Sequence, residues 1–264
     1  MRERDRTFPP KVLRYSELSR MSSSPAHFRA AYEHPREQSP AMRRGTLVHS
    51  LILEGPTAAG IVVFPGERGA KGWKAFKEEH ADAPLIVTAD EMAEARFIAA
   101  KVRNHPLAAP ALDGDTEVEL AWKRGAIDCA GRLDVLKPNG ITEVKLSFTS
   151  HPEGFVRHGI RMGYHAQGAW YRYGANANGR DIFSVKIVSV EMRQPFAVTV
   201  FDLTERALEK GDRLCTMWLE RFAVQLGAQH GGHWPEYAEH VCEFDVPDDV
   251  ELVYGDDETE SEAA

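Results

Sequence analysis

Cysteine is scarce in this chain of 264 residues. It has three, Cys129, Cys215 and Cys242, with no CxxC or CxxH pair among them. A zinc ribbon and a four-cysteine iron–sulfur cluster within one chain are therefore excluded. The odd, scattered count also argues against a disulfide framework. Long apolar runs are missing too. No stretch reaches the roughly 18 residues a membrane helix needs. The charged start MRERDRTFPPKVLRY has no apolar core of a secretory signal, so the expected location is cytoplasmic, with no membrane contact. Positive charge is not in surplus. The formal net charge of −8 is the opposite of what a protein coating nucleic acid carries. Part of that acid sits in residues 256–262 (DDETESE), a composition that stays solvated. Carboxylates gathered around a divalent ion would add more, so the charge does not exclude an enzyme that acts on nucleic acid.

The hydrophobic content of 43% and charged content of 27% are those of an ordinary globular chain. No internal repeat and no linker divides it. One domain is expected over residues 1–250, with a helical N-terminal part, followed by an acidic tail at 251–264. Ser24-Pro25 and Ser39-Pro40 each place an N-cap before a proline at the first helical position. They open helices to about Tyr32 and to about Gly55, the second carrying Leu47, Val48, His49, Leu51 and Ile52. Residues 61–64 (IVVF) read as a short strand and 71–80 as a surface helix. Thr88 and Glu91 form a capping-box pattern for a helix to about Asn104. Residues 117–122, 127–135 and 140–146 read as strands. The turn signal Pro138-Asn139-Gly140 makes the last two a hairpin. Helices at about 152–162 and 163–175, strands at 183–192 and 196–201, and an amphipathic helix from Thr204 to about Gln229 complete the order. This is an α/β chain with a mixed central β-sheet flanked by helices.

Within the hairpin, Asp134 is followed nine residues later by Glu143-Val144-Lys145. Side-by-side strands let the two carboxylates converge. Glu143 and Lys145, two apart, share a strand face. Two carboxylates and an ammonium on one face suit phosphodiester hydrolysis. The carboxylates can hold Mg²⁺, the ion lowers the pKa of a bound water, and the ammonium orients that water or stabilises developing charge. A carboxylate followed by x-Lys is, however, usually solvated charge or a cross-strand pair.

Four segments in order resemble the RecE-type (exonuclease VIII) branch of the PD-(D/E)XK nucleases. They are residues 19–28 (SRMSSSPAHF) with 41–54 (AMRRGTLVHSLILE), the strand at 117–122, the Asp134 … Glu143-x-Lys145 core, and residues 164–171 (YHAQGAWY). The resemblance covers roughly residues 15 to 235. It implies a PD-(D/E)XK restriction-endonuclease-like core. It also implies that His49, Asp134, Glu143 and the carbonyl of Val144 hold Mg²⁺, with Mn²⁺ as a substitute. Lys145 would be the catalytic lysine, supported by Glu117, Gln167 and Tyr171. The implied activity is digestion of linear double-stranded DNA from an end, 5′-to-3′, leaving single strands for recombination in a phage setting. A homo-oligomer and a RecT-like single-strand annealing partner follow from the same likeness. Two positions depart from the pattern. Leu133 stands where the superfamily name has proline, and the second acid is Glu143 where RecE itself is better described by Asp.

The blander readings are specific. A lone histidine among Leu47, Val48, Leu51 and Ile52 is most often a satisfied core residue. Gln167 and Tyr171, four apart, share a helix face and could form a buried polar patch. Glu117 and Glu119 alternate on one strand, and either could be the supporting acid. Arg43, Arg44, Lys71, Lys74, Arg157 and Arg161, with Trp73 as a stacking aromatic, are candidate DNA contacts, although surface cations are usually only solubilising. A phage-defence endonuclease and a non-catalytic DNA-binding protein of the same fold remain alternatives.

Overall fold

The computed structural model describes residues 8–35, 38–56, 58–227, 233–238 and 241–242. The chain enters through β1 (Leu13–Arg14), α1 (Tyr15–Leu18) and a 3-10 turn (Ser19–Ser22), then α2 (Pro25–Glu33) and α3 (Pro40–Leu53). The two expected caps are in place. Ser24 Oγ accepts from His27 N and Ser39 Oγ from Met42 N, each at 3.2 Å, a device that stabilises a helix by about 1 kcal/mol. Next come β2 (Ile61–Phe64), α4 (Trp73–Glu79), β3 (Leu85–Thr88), α5 (Ala89–Arg103) and α6 (Ala108–Ala111). The capping box at Thr88 and Glu91 is reciprocal, at 3.2 and 2.9 Å.

The central strands are β4 (Asp115–Arg124), β5 (Ile127–Lys137) and β6 (Gly140–Ser147). Helices α7 (Pro152–Arg161) and α8 (Tyr164–Ala177) lead to β7 (Ser184–Glu191) and β8 (Val198–Asp202), and α9 (Glu205–Gly227) closes the order. The main sheet is mixed. β4 and β6 are antiparallel to β5, β7 is parallel to β6, β8 is antiparallel to β7, and β1 joins β5 in parallel. Strand alternation sends Ile141 and Val185 to one face, and Val144, Val188 and Val190 to the other. The first set packs with Trp170 of α8 and Leu208 and Phe222 of α9, the second with Val48 and Leu51 of α3 and Ile98 of α5. Helices thus cover both faces.

Two strands escape the sequence reading. β1 lies in a stretch read as helical, and β3 pairs in parallel with β2 as a separate small sheet. Two-residue and four-residue strands are too short to show a period, and parallel partners carry no turn signal. The surface helix begins at Trp73, after Gly72 in the left-handed region, rather than at residue 71. The end of the last helix at Gln229, the limit at 250 and the acidic tail fall outside the described residues.

The hairpin is shorter than its strands. Backbone pairing of β5 with β6 runs only through Lys137↔Gly140, Leu136↔Ile141 and Val135↔Thr142. On that same edge β1 takes Cys129 and Ala130. Between them β5 has no strand ladder, and the sheet forks at Asp134. The inward alternation slips there too. Leu133 belongs to the cluster under α8, and Val135, two residues on, to the cluster under α3. Across the sheet the β4 pairing skips Glu117, whose φ of 55° is left-handed. That conformation costs a non-glycine residue about 1–2 kcal/mol.

Candidate active site

Side chains fill the fork. The Asp134 N–H donates to Glu143 Oε1 at 3.3 Å, and the Val144 N–H donates to Asp134 Oδ2 at 2.8 Å. The two acids therefore take the place of the missing ladder carbonyls, and both are buried. Helix α3 aims His49 at the fork from the other side. Its Nε2 lies 3.0 Å from Asp134 Oδ2 and its Nδ1 lies 3.8 Å from Glu117 Oε1. Both ring nitrogens face carboxylates, so this histidine is not satisfied by apolar packing. Ligand atoms of His49, Glu117 and Asp134 all lie within 4.8 Å of one another. Of the two candidate glutamates, Glu117 is in this cluster. Glu119 is exposed and pairs with Arg14 at 3.6 Å.

Lys145 Nζ donates to Glu143 Oε2 at 3.2 Å and lies 5.3 Å from the centre of the Tyr164 ring. Helix α8 backs this pair. Gln167 Nε2 donates to Tyr171 Oη at 3.2 Å, and the Tyr171 ring rests on the backbone of β5. A Cβ at Gly131 would meet that ring at 2.7 Å, so the contact requires a residue without one. Gln167 and Tyr171 thus form a polar patch packed on β5.

The charges are strongly coupled. Burial pushes the Glu143 carboxyl up to about 7, reinforced by Asp134 and partly offset by Lys145. Burial acts the same way on Asp134, but the hydrogen bond and charge of His49, with Lys145, outweigh it and hold that carboxyl low. Burial disfavours the His49 cation, yet Asp134 and Glu117 overcome it and raise its pKa. Burial also raises Glu117, against the pull of Arg132 and His49. Lys145 is raised despite burial because Glu143 and Asp134 surround it.

The donor set fits a hard divalent cation. Ligands on one ion at about 2.1 Å lie about 3.0 Å apart when adjacent and about 4.2 Å apart when opposite. His49 Nε2 and Asp134 Oδ2, 3.0 Å apart, match an adjacent pair, and one ligand atom each from His49, Glu117 and Asp134 lies within 4.8 Å of the others. Carboxylates with one imidazole suit Mg²⁺ and Mn²⁺. His49 and Glu143 both have raised folded pKa values, so their contribution to stability is present at low pH and lost as pH rises, through about 7 for Glu143. An ion must displace those protons. Its affinity is expected to climb between about pH 6 and 8 with proton release. Calorimetry of Mn²⁺ binding in two buffers of different ionisation heat checks this. A flat affinity with no released proton would take His49 and Glu143 out of the ligand set.

None of the candidate DNA contacts is among the described ion-pair partners of the cluster's acids. Arg43 donates to the Gln38 carbonyl at 2.8 Å and Arg44 pairs with Glu94 at 2.9 Å. Trp73 is half-buried, edge-on to Phe64 and capped by Arg68. Lys71, Lys74, Arg157 and Arg161 are exposed, with Lys74 and Arg157 each 4.0 Å from a glutamate one turn away. The sequence reading passed over Arg132, whose Nε lies 2.8 Å from Glu117 Oε2. Its position two residues before Asp134 was the available signal.

A forked mixed sheet flanked by helices, with acids at the fork, is the fold of a PD-(D/E)XK nuclease. The chain belongs to the family described as a PDDEXK-like domain of unknown function (DUF3799), whose model matches residues 15–245. Among solved structures, a candidate exonuclease from Eubacterium rectale is similar over 90% of this chain and 91% of its own, with a TM-score of 0.62 and 15% identity. An alkaline exonuclease from Laribacter hongkongensis aligns over 81% of this chain and 89% of its own, at 16% identity and a TM-score of 0.32. No curated protein matches. No helix among the described residues is long and apolar enough to cross a membrane.

Proposed function

We propose that the protein is a divalent-metal-dependent exodeoxyribonuclease that digests linear double-stranded DNA from an end, 5′-to-3′, and leaves single-stranded DNA for recombination. The observation that carries the hydrolytic reading is the His49–Glu117–Asp134 cluster set against the pair of buried Glu143 and half-buried Lys145. His49, Glu117, Asp134 and Glu143, with the carbonyl of Val144, would hold Mg²⁺, and Mn²⁺ would substitute. When bound, the ion polarises the phosphate and lowers the pKa of a coordinated water. Lys145 holds the attacking water at Nζ or stabilises the charge that develops on the phosphate oxygens. Its ammonium is kept in place by Glu143 Oε2 and the Tyr164 face. Gln167 and Tyr171 exclude water from behind that ammonium and fix the strand beneath it. The basic side chains outside the cluster, Arg43, Arg44, Lys71, Lys74, Arg157 and Arg161, meet phosphates further along the duplex. The end-directed reading is supported by the fold-level likeness to the Eubacterium rectale protein. A homo-oligomer and a single-strand annealing partner belong to the same proposal.

Linear and covalently closed plasmid, mixed in equal amounts with Mg²⁺ at low salt, distinguish end-directed from internal cleavage. Only the linear form is expected to disappear, with acid-soluble nucleotides from the first time points and long single strands left over. Added salt slows the reaction, because phosphate contacts release counterions. Nicking of the closed circle at the rate of linear digestion would overturn the exonuclease reading and leave an endonuclease with the same core.

A further inference from the structure

Arg132 stands directly across β5 and β4 from Glu119. It does not pair with that neighbour, which turns to Arg14 instead. It reaches diagonally to Glu117, placing Nε 2.8 Å from Oε2, while the other carboxylate oxygen, Oε1, faces His49. The arginine side chain is 59% exposed against 22% for Glu117. Exposed ion pairs contribute little to stability, so this reach is not explained by the fold. The guanidinium forms the solvent side of the acid cluster, as Lys145 forms its buried side.

Charge bookkeeping gives that outer cation a task. The three carboxylates of Glu117, Asp134 and Glu143 are balanced by Lys145 and one divalent ion. A phosphodiester arriving at the cluster adds one negative charge that nothing in this set offsets. A planar guanidinium with one edge on Glu117 keeps further N–H groups for a phosphate oxygen, in the fork geometry that arginine offers and lysine does not. We propose that Arg132 is a positioning residue that clamps the DNA phosphate next to the cluster, while restricting Glu117 to one free oxygen. This rests on the nuclease reading.

Binding of a labelled, blunt-ended short duplex to protein stripped with chelator, followed by anisotropy over a range of salt, tests the clamp without any turnover. Arg132→Gln is expected to weaken binding roughly tenfold and to lower the slope of log K against log salt by about 0.9. Arg132→Lys should regain the slope, since it restores the charge, and should still show a raised KM in cleavage with kcat little changed. Mn²⁺ affinity of Arg132→Gln, by calorimetry, should not fall. An unchanged salt slope with a fall in Mn²⁺ affinity would overturn the clamp and make Arg132 a support for Glu117 alone. Absence of DNA binding by the wild-type protein both when stripped and when Ca²⁺ is restored would instead remove the nuclease reading, and the clamp with it.

Discussion

Lys145→Ala is expected to lose about 10²–10³ in turnover while keeping its fold and its divalent-ion affinity. The ammonium makes no bond to a metal, but it is the half-buried cation facing the acids. Its absence leaves Glu143 without a counter-charge. That carboxyl, already pushed up to about 7, then holds its proton more tightly, so the ion-free protein avoids a bare buried charge; the tighter proton opposes the ion while the loss of a neighbouring cation favours it, and the two effects offset. Single-turnover cleavage of an end-labelled duplex beside a calorimetric Mn²⁺ titration measures both properties on one variant. Cleavage near the wild-type rate by a folded Lys145→Ala protein would remove Lys145 from the mechanism.

Asp134 is the centre of the cluster, and its replacement should abolish ion binding and cleavage together. Its carboxylate accepts the Val144 N–H and meets His49 Nε2. Asp134→Ala orphans that buried amide, at a cost of about 1–3 kcal/mol. Asp134→Asn keeps an oxygen for it and loses only the charge. The alanine variant should therefore melt several degrees lower, the asparagine variant close to wild type, and neither should give heat on Mn²⁺ addition. An asparagine variant that binds Mn²⁺ as tightly as wild type would exclude Asp134 from the ligands.

Much of this arrangement was legible in the chain. Strand-like runs marked β4 to β6, the Pro138-Asn139-Gly140 turn set the pairing of β5 with β6, and Ser24, Ser39 and Thr88 opened helices where the structure has them. Spacing brought Glu143 beside Lys145, and the pairing of β5 with β6 brought Asp134 to Glu143. What stayed hidden is non-local. The parallel partners β1 and β3 have no turn to announce them. The fork depends on β1 and β6 taking different stretches of one strand edge, which no local pattern encodes. The left-handed backbone of Glu117 is imposed by its surroundings and not by its residue type. Arg132 looked like an ordinary surface cation because its partner lies diagonally across the sheet.

The backbone of Glu117 also bears on how this protein can be improved. At φ 55° a glycine or asparagine is more comfortable than glutamate. Laboratory selection for heat resistance alone would thus favour substitutions at this position early and enrich well-folded, inert proteins. Any library built on this scaffold has to be sorted for cleavage at each round, or the most robust survivors will be those that gave up the site.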